Sequence, residues 1–257
     1  MSDLRYEVSD GIGWITFHRP EARNAMTFAM YERLAEISSQ ANADRSVKAL
    51  VLTGAGGAFV AGTDISQFRE FTDDAHAVAY EDVNDRVFGA LEAVRVPTIA
   101  AIPGATVGGG LAIAASCDLR VAAPSATFGM PIARTLGNCL SMANLLRLAS
   151  IVGAARVKEL VFTARLIDAR EALAIGLVHE VVADDAALAP RAEELARRVA
   201  AHAPLTLWAT KEGLRRLRQR LIPEEDRDLV VACYTSRDFR EGVAAFIEKR
   251  HPRWTGE

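Results

Sequence analysis

Apolar and polar positions follow two different periods along this chain. Val8, Ile12, Trp14, Ile15 and Phe17 flank Asp10-Gly11, a tight-turn dipeptide, and predict a hairpin that hands the chain to an Arg19-Pro20 corner. Met30, Leu34 and Ile37 recur at helical spacing and predict an amphipathic helix from about Thr27 to Asn42. The short run Ala49-Leu50-Val51-Leu52-Thr53 reads as a buried strand, and Asp64 and Gln67 follow it in capping-box spacing at the start of a helix. The same order recurs where Thr98-Ile99-Ala100-Ala101-Ile102 leads into Gly108-Gly109-Gly110 and then a helix from Leu111 to Ser116. Asp168 and Glu171 repeat the capping-box spacing, Gly176 stops that helix, and Leu177 to Val182 reads as a strand.

Repeated strand, glycine turn and helix predict an α/β architecture of parallel strands covered by helices. Beyond about Asp184 the pattern turns helical. Glu193 to Ala201, Leu205 to Leu221, Glu224 to Tyr234 and Phe239 to Arg250 are the predicted helices, punctuated by Pro204 and Pro223. The division is a core over residues 1–195 and a helical segment over 196–257. A helical tail that buries only part of its apolar face on its own domain predicts association with other subunits.

Half of the 257 residues are apolar, enough for a sizeable core. A net charge of −3 excludes the basic face that a nucleic-acid protein needs. The one local exception, Lys211, Arg215, Arg216, Arg218 and Arg220, reads as a solvated helix face or as a site for nucleotide phosphates. Cys117, Cys139 and Cys233 have no CxxC spacing, and the amino terminus is polar, so neither a disulfide framework nor a secretory signal is expected and a cytoplasmic location is. The uncharged stretch Val96 to Cys117 is long enough to span a bilayer, but Pro97, Pro103 and four glycines make it strand, turn and helix. None of His18, His76, His179, His202 and His251 stands in metal-ligand spacing, so no metal is expected.

Two turns carry the chemistry: Ala61-Gly62-Thr63-Asp64-Ile65 and Ala105-Thr106-Val107-Gly108-Gly109-Gly110-Leu111. Small residues admit a ligand to the main chain, and each turn opens a helix-like segment whose free N–H groups carry partial positive charge. Two such turns can converge on one carbonyl oxygen as an oxyanion hole. With Phe17 to Met26, Ala58 to Ile65, Ile102 to Leu111, Cys117 to Ala122, Phe128-Gly129-Met130-Pro131 and Ala174 to Val178 in this order, the chain resembles the crotonase, or enoyl-CoA hydratase/isomerase, superfamily. The resemblance implies a spiral of ββα units with a carboxy-terminal helical segment, assembled as trimers or paired trimers.

It also implies that the amides of Thr63 and Gly109 grip the thioester oxygen of an acyl-CoA substrate, with coenzyme A entering as part of that substrate and no separate cofactor. Coenzyme A is expected against Ala22, Arg23, Ala25, Ala61, Asp64, Ile65, Phe246 and Lys249, where small residues let the pantetheine pass and the two cations face phosphates. The hydratases' two glutamates fall at Ala112 and Ile132, and a third position used by dehalogenases and hydrolases falls at Cys139. Neither an alanine nor an isoleucine exchanges protons, so two-carboxylate hydration has no obvious carrier. The nearest acidic residues in sequence are Asp118 and Glu159.

Near the expected site, Cys139 reads as a nucleophile or proton carrier favoured by a helix amino terminus, or as an inert buried thiol. Asn138 reads as a substrate donor or a turn former, Arg134 as a carboxylate partner or a surface ion pair, and Asp64 as a helix cap or a substrate contact. His76 is the one histidine that loop motion would bring near. The leading expectation is an acyl-CoA enzyme that stabilises a thioester enolate. Its alternatives are decarboxylation of a malonyl-type thioester, hydrolysis through Cys139, and a coenzyme A-binding protein without catalysis. A dinucleotide fold is excluded, since neither glycine cluster gives GxGxxG.

Overall fold

The computed structural model describes residues 3–71, 73–221 and 226–257. Strands β1 (Leu4–Ser9) and β2 (Ile12–Phe17) form the predicted antiparallel hairpin. Its turn needs positive φ at both central positions, and Asp10 and Gly11 supply +50° and +79°. A 3-10 turn at Pro20–Ala22 leads to α1 (Phe28–Ala43), which Thr27 caps by accepting the Met30 amide at 3.2 Å. Three strand pairs and their helices follow: β3 (Ala49–Gly54), β4 (Ala58–Val60) and α2 (Asp74–Glu92); β5 (Thr98–Ile102), β6 (Ala105–Val107) and α3 (Gly109–Ser116); β7 (Leu119–Ala122), β8 (Thr127–Gly129) and α4 (Ile132–Thr135). Each pair splits between two sheets. One runs β1-β2-β3-β5-β7 and ends on Glu180–Val181 (β10), parallel except at β1, and the other runs β4-β6-β8 and ends on Leu166–Asp168 (β9), antiparallel to β8. This is the expected spiral of ββα units.

Helices α5 (Met142–Val152) and α6 (Ala154–Thr163) lead to β9 (Leu166–Asp168), α7 (Ala169–Ala174) and β10 (Glu180–Val181). The expected strand from Leu177 to Val182 is therefore confined to two residues, because Leu177 and Val178 instead direct their amides to Ala172 and close α7 beside Gly176 at φ +76°. The closing helices are α8 (Leu188–Ala200), α9 (Pro204–Gln219), α10 (Arg227–Tyr234) and α11 (Arg237–Ile247). Helix α8 crosses residue 195 and packs Leu188, Ala192, Ala196 and Val199 on the outer face of the larger sheet. Pro223 and Glu224 lie outside the described residues.

Two details of capping differ from expectation. Asp64 caps a 3-10 turn (Ile65–Glu70) by accepting the Ser66 amide at 3.1 Å, while Gln67 reaches away to accept the Phe28 amide at 2.6 Å. Asp168 accepts the Glu171 amide at 2.8 Å, but the Glu171 carboxylate turns to Arg165. Polar side chains offered two partners take the charged or longer-range one when it is in reach.

The main core lies between the sheets and α1, α2, α3 and α5, with Phe17, Leu34, Leu52, Phe59 and Phe128 fully enclosed. Each such side chain stabilises the fold by roughly 1.5–3 kcal/mol. A separate aromatic cluster joins Phe68, Tyr80, Tyr234 and Phe239, with Tyr234 and Phe239 ring centroids at 4.9 Å and Phe68 and Tyr80 at 5.0 Å. It fastens α10 and α11 against α2 and the 3-10 turn.

Candidate active site

The loop between β2 and α1 turns through Arg23 and Asn24, both left-handed at φ +49° and +59°. Asn24 is fully buried, and its amide explains how the loop tolerates this. It accepts from the Arg19 amide at 2.8 Å and donates to the carbonyls of Ala55 at 2.9 Å and Ala58 at 2.8 Å. Arg19 also pairs with Asp64 at 2.8 Å, so the loop is tied to both ends of the first glycine turn. That turn and the second lie against each other. Gly62, at φ +106°, leaves open the space beside the Val107 carbonyl, and a side chain on Gly108 would sit 3.8 Å from the Gly62 Cα. A side chain on Gly109 would meet the Tyr31 hydroxyl and lie 3.3 Å from Thr63 Oγ1.

Gly109 opens α3, so its amide is one of the orphan donors of a helix start. Among the described residues neither the Thr63 amide nor the Gly109 amide has a backbone acceptor. Both residues line one cavity of about 490 Å³. Thr63 Oγ1 is held between Tyr31 and Tyr80, 2.9 Å from each phenolic oxygen. Burial pushes Tyr31 up to about 12 and Tyr80 well above the ordinary tyrosine range, so both stay neutral.

The cavity gathers most of the expected site: Ala22, Arg23, Ala25, Ala61, Asp64, Ile65, Phe246, Ala112, Ile132, Asn138 and Cys139 all line it. Arg23 and Phe246 are exposed, whereas Ala112 and Ile132 are buried. Lys249 lies outside the lining, exposed just past the end of α11, and Arg134 faces solvent on α4. His76 stays exposed, stacks on Phe71 and pairs with Asp73 at 2.9 Å, because its own helix start holds it there.

Cys139 hydrogen-bonds the Leu229 carbonyl at 3.6 Å and neighbours Cys233. The hydrogen bond with Cys233 and burial push the Cys139 thiol up, while Cys233 is drawn down to about 7. The helix start after Ser141 does not make Cys139 the thiolate of the two.

The acidic residues nearest in sequence serve elsewhere. Asp118 accepts from the Thr98 amide at 2.7 Å and pairs with Lys211 at 2.6 Å, and Glu159 pairs with Arg165. Most of the basic cluster on α9 is likewise paired internally: Arg215 and Arg216 with Glu212, and Arg218 with Glu92. Arg216 of this cluster is nevertheless largely exposed.

Among the described residues two carboxylates line the cavity, Asp64, which is paired with Arg19, and Glu81. It sits on the buried stripe of α2 formed by Ala77, Glu81, Asn84, Phe88 and Leu91, and only 7% of it is exposed. A glutamate at a core position of a helical stripe is the signal that a reading of motifs alone passes over. Tyr234 donates to its Oε1, and Asn138 donates to the Tyr234 oxygen at 3.1 Å. Burial drives the Glu81 carboxyl up to about 8, against the lowering effect of Tyr234 and the Ser141 amide. No cluster of ligands for a metal ion occurs among the described residues. Among them, too, no helix is long and apolar enough to cross a membrane.

Comparison with known proteins agrees with this architecture. A family model described as enoyl-CoA hydratase/isomerase matches residues 7–257. The short-chain-enoyl-CoA hydratase of Clostridium acetobutylicum is 34% identical, over 97% of this chain and 96% of its own. The structure of an enoyl-CoA hydratase/carnithine racemase from Magnetospirillum magneticum superposes with a TM-score of 0.81 at 35% identity, over 100% and 97% of the two chains. That of methylmalonyl-CoA decarboxylase in complex with 2-nitronate-propionyl-CoA superposes with a TM-score of 0.90 at 28% identity, over 100% and 99%. On the family match and these identities, the chain belongs to the enoyl-CoA hydratase/isomerase family.

Proposed function

We propose that the protein binds an acyl-CoA and gathers the negative charge of its thioester enolate between the amides of Thr63 and Gly109. The observation that carries this reading is the pair of adjacent turns on the wall of one cavity, each with an amide that has no backbone acceptor among the described residues. Fixed dipoles of this kind need no reorganisation when charge develops, which makes them worth more than donors in water. Ala22, Ala25, Ala61 and Ile65 form a smooth channel for the pantetheine, Asp64 holds the loop through Arg19, Phe246 covers the mouth, and Arg23 and Lys249 supply charge to phosphates.

The residues at the two positions used by hydratases, Ala112 and Ile132, are apolar, and this favours reactions in which the enolate arises without a pair of carboxylates. Decarboxylation of a malonyl-type thioester is one, and the likeness to methylmalonyl-CoA decarboxylase supports it. Calorimetry with butyryl-CoA tests the binding, and an absence of binding rejects the whole reading. In one preparation, hydration of crotonyl-CoA is expected roughly 10²–10⁴-fold below that of a two-carboxylate enzyme. Carbon dioxide release from methylmalonyl-CoA supports decarboxylation; none removes it. Binding with no turnover of any acyl-CoA would make this a binding protein. Cys139→Ala is expected to change turnover less than about tenfold, and a larger loss would favour thioester hydrolysis.

We also infer that α9 is covered by further copies of the chain, as a trimer or a pair of trimers, in the cytoplasm where acyl-CoA is dissolved. Leu214 and Leu217 on α9 and Leu221 just past its end recur at helical spacing and are more than half exposed, an apolar stripe that a lone subunit rarely shows. Light scattering is expected to give three or six copies, and a monomer would reject the assembly; cell fractionation checks the location.

A further inference from the structure

Glu81 is expensive where it stands. Among the described residues no cation pairs with it, it is nearly enclosed, and a buried carboxyl without a cation costs several kcal/mol compared with an apolar or amide side chain of the same size. Packing does not require it, since Ala77, Asn84, Phe88 and Leu91 complete the same stripe. A costly group that faces a cavity and is held by several separate parts of the chain is characteristic of a working site. Here those parts are α2, the segment from Asn138 to Ser141, and Tyr234 of α10.

Its neighbours on the cavity wall locate it further. Ala112 of α3, Ile132 of α4 and Asn144 of α5 share the cavity wall with it and are buried, whereas Arg23 and Phe246 on the same wall are exposed, so Glu81 belongs to the enclosed part of the lining. For an acyl-CoA whose thioester oxygen sits at Thr63 and Gly109 and whose pantetheine leaves past the exposed Arg23 and Phe246, the enclosed wall of Glu81, Ala112 and Ile132 is what remains to receive the acyl carbons. We propose that Glu81 is the catalytic proton carrier of this cavity, exchanging a proton with the acyl carbon beside the thioester. The inference rests on the acyl-CoA reading above.

The step balances in both directions. As a carboxylate, Glu81 takes the proton from the α-carbon; the C–H pair becomes the new carbon–carbon π bond, and the carbonyl π pair moves to the thioester oxygen held by the two amides. As a carboxylic acid, it gives its proton to the α-carbon of an enolate formed by another route, such as carbon dioxide loss, in which the broken C–C pair becomes the enolate pair. The neutral form is favoured by burial and by the nearby carboxyl groups of Asp85, on its own helix, and Asp226, just before α10. Tyr80 on its own helix, Tyr31 on α1, Tyr234 on α10 and Cys139 before α5 are all pushed up and stay neutral, and Arg147 pairs with Glu92 rather than Glu81. Tyr234 is the positioning residue, since its hydroxyl fixes one oxygen of a carboxyl on the cavity wall.

The test is deuterium uptake at the α-carbon of 3-butenoyl-CoA in D₂O, followed by NMR, with butyryl-CoA affinity measured by calorimetry on the same samples. Glu81→Gln keeps the shape and is expected to slow exchange by about 10²-fold or more, with affinity held within about threefold. Tyr234→Phe is expected to retain exchange with its pH midpoint moved upward, because the carboxylate loses a donor. Unchanged exchange in Glu81→Gln overturns the proposal, and so does a loss of affinity that parallels the loss of exchange. A wild-type protein that binds butyryl-CoA but exchanges no deuterium also overturns it while leaving the binding reading intact. A wild-type protein that binds no acyl-CoA overturns both.

Discussion

Gly109→Pro is expected to lower turnover of any accepted acyl-CoA by about 10²–10³-fold, the usual effect of removing one oxyanion donor. The backbone itself accepts this change. Gly109 is the first residue of α3, where proline fits and where the lost N–H has no helical partner. The amide is thereby removed as a donor to ligand without breaking a helical hydrogen bond. A second contribution comes from the ring, because even one added carbon at Gly109 meets the Tyr31 hydroxyl and approaches Thr63 Oγ1 at 3.3 Å. Gly109→Ala in a Tyr31→Phe background keeps the amide and relieves that contact, so it separates the two causes. The measurements are kcat, KM and acyl-CoA affinity for both variants. Turnover of Gly109→Pro within tenfold of wild type would mean that charge does not gather at this amide.

Raising the pH is expected to destabilise the wild-type protein relative to Glu81→Gln. A carboxyl held up to about 8 in the folded state and near 4.5 in the unfolded chain contributes fully below pH 4.5, and this contribution fades as pH rises through 8. Between pH 5 and pH 9 the difference is on the order of 4 kcal/mol, from about 1.4 kcal/mol for each pH unit between the two values, and less where water enters the ionised site. Titrations shared by both proteins cancel in the comparison. Urea unfolding at the two pH values measures it. Parallel curves for the wild type and the variant would mean that Glu81 is ionised in the folded protein and is not enclosed as described.

Several features of the fold were legible because their causes are local. Asp10-Gly11 specifies its turn through positive φ, Thr27 specifies a helix start through its hydroxyl, and Gly176 ends α7 by its freedom at φ +76°. The small residues around Thr63 and Gly109 marked the two turns for the same reason, and those turns do adjoin in space. The second sheet was not legible. Its strands β4, β6 and β8 have three residues each, too few to show a period, and only their mutual pairing makes them strands.

The chain's own order thus determined the backbone donors, since a turn of glycines is a property of consecutive residues. The proton carrier proposed for the cavity depends on tertiary structure. Glu81 and Tyr234 stand 153 positions apart, Asn138 lies between them in sequence, and they meet because α10 packs its aromatic face onto α2. Asp118 and Glu159, which stand closer in sequence to the expected hydratase positions, were drawn to Lys211 and Arg165 instead. A side chain's partner depends on which elements pack against its own, and that follows from burial of the whole core, which no local pattern encodes.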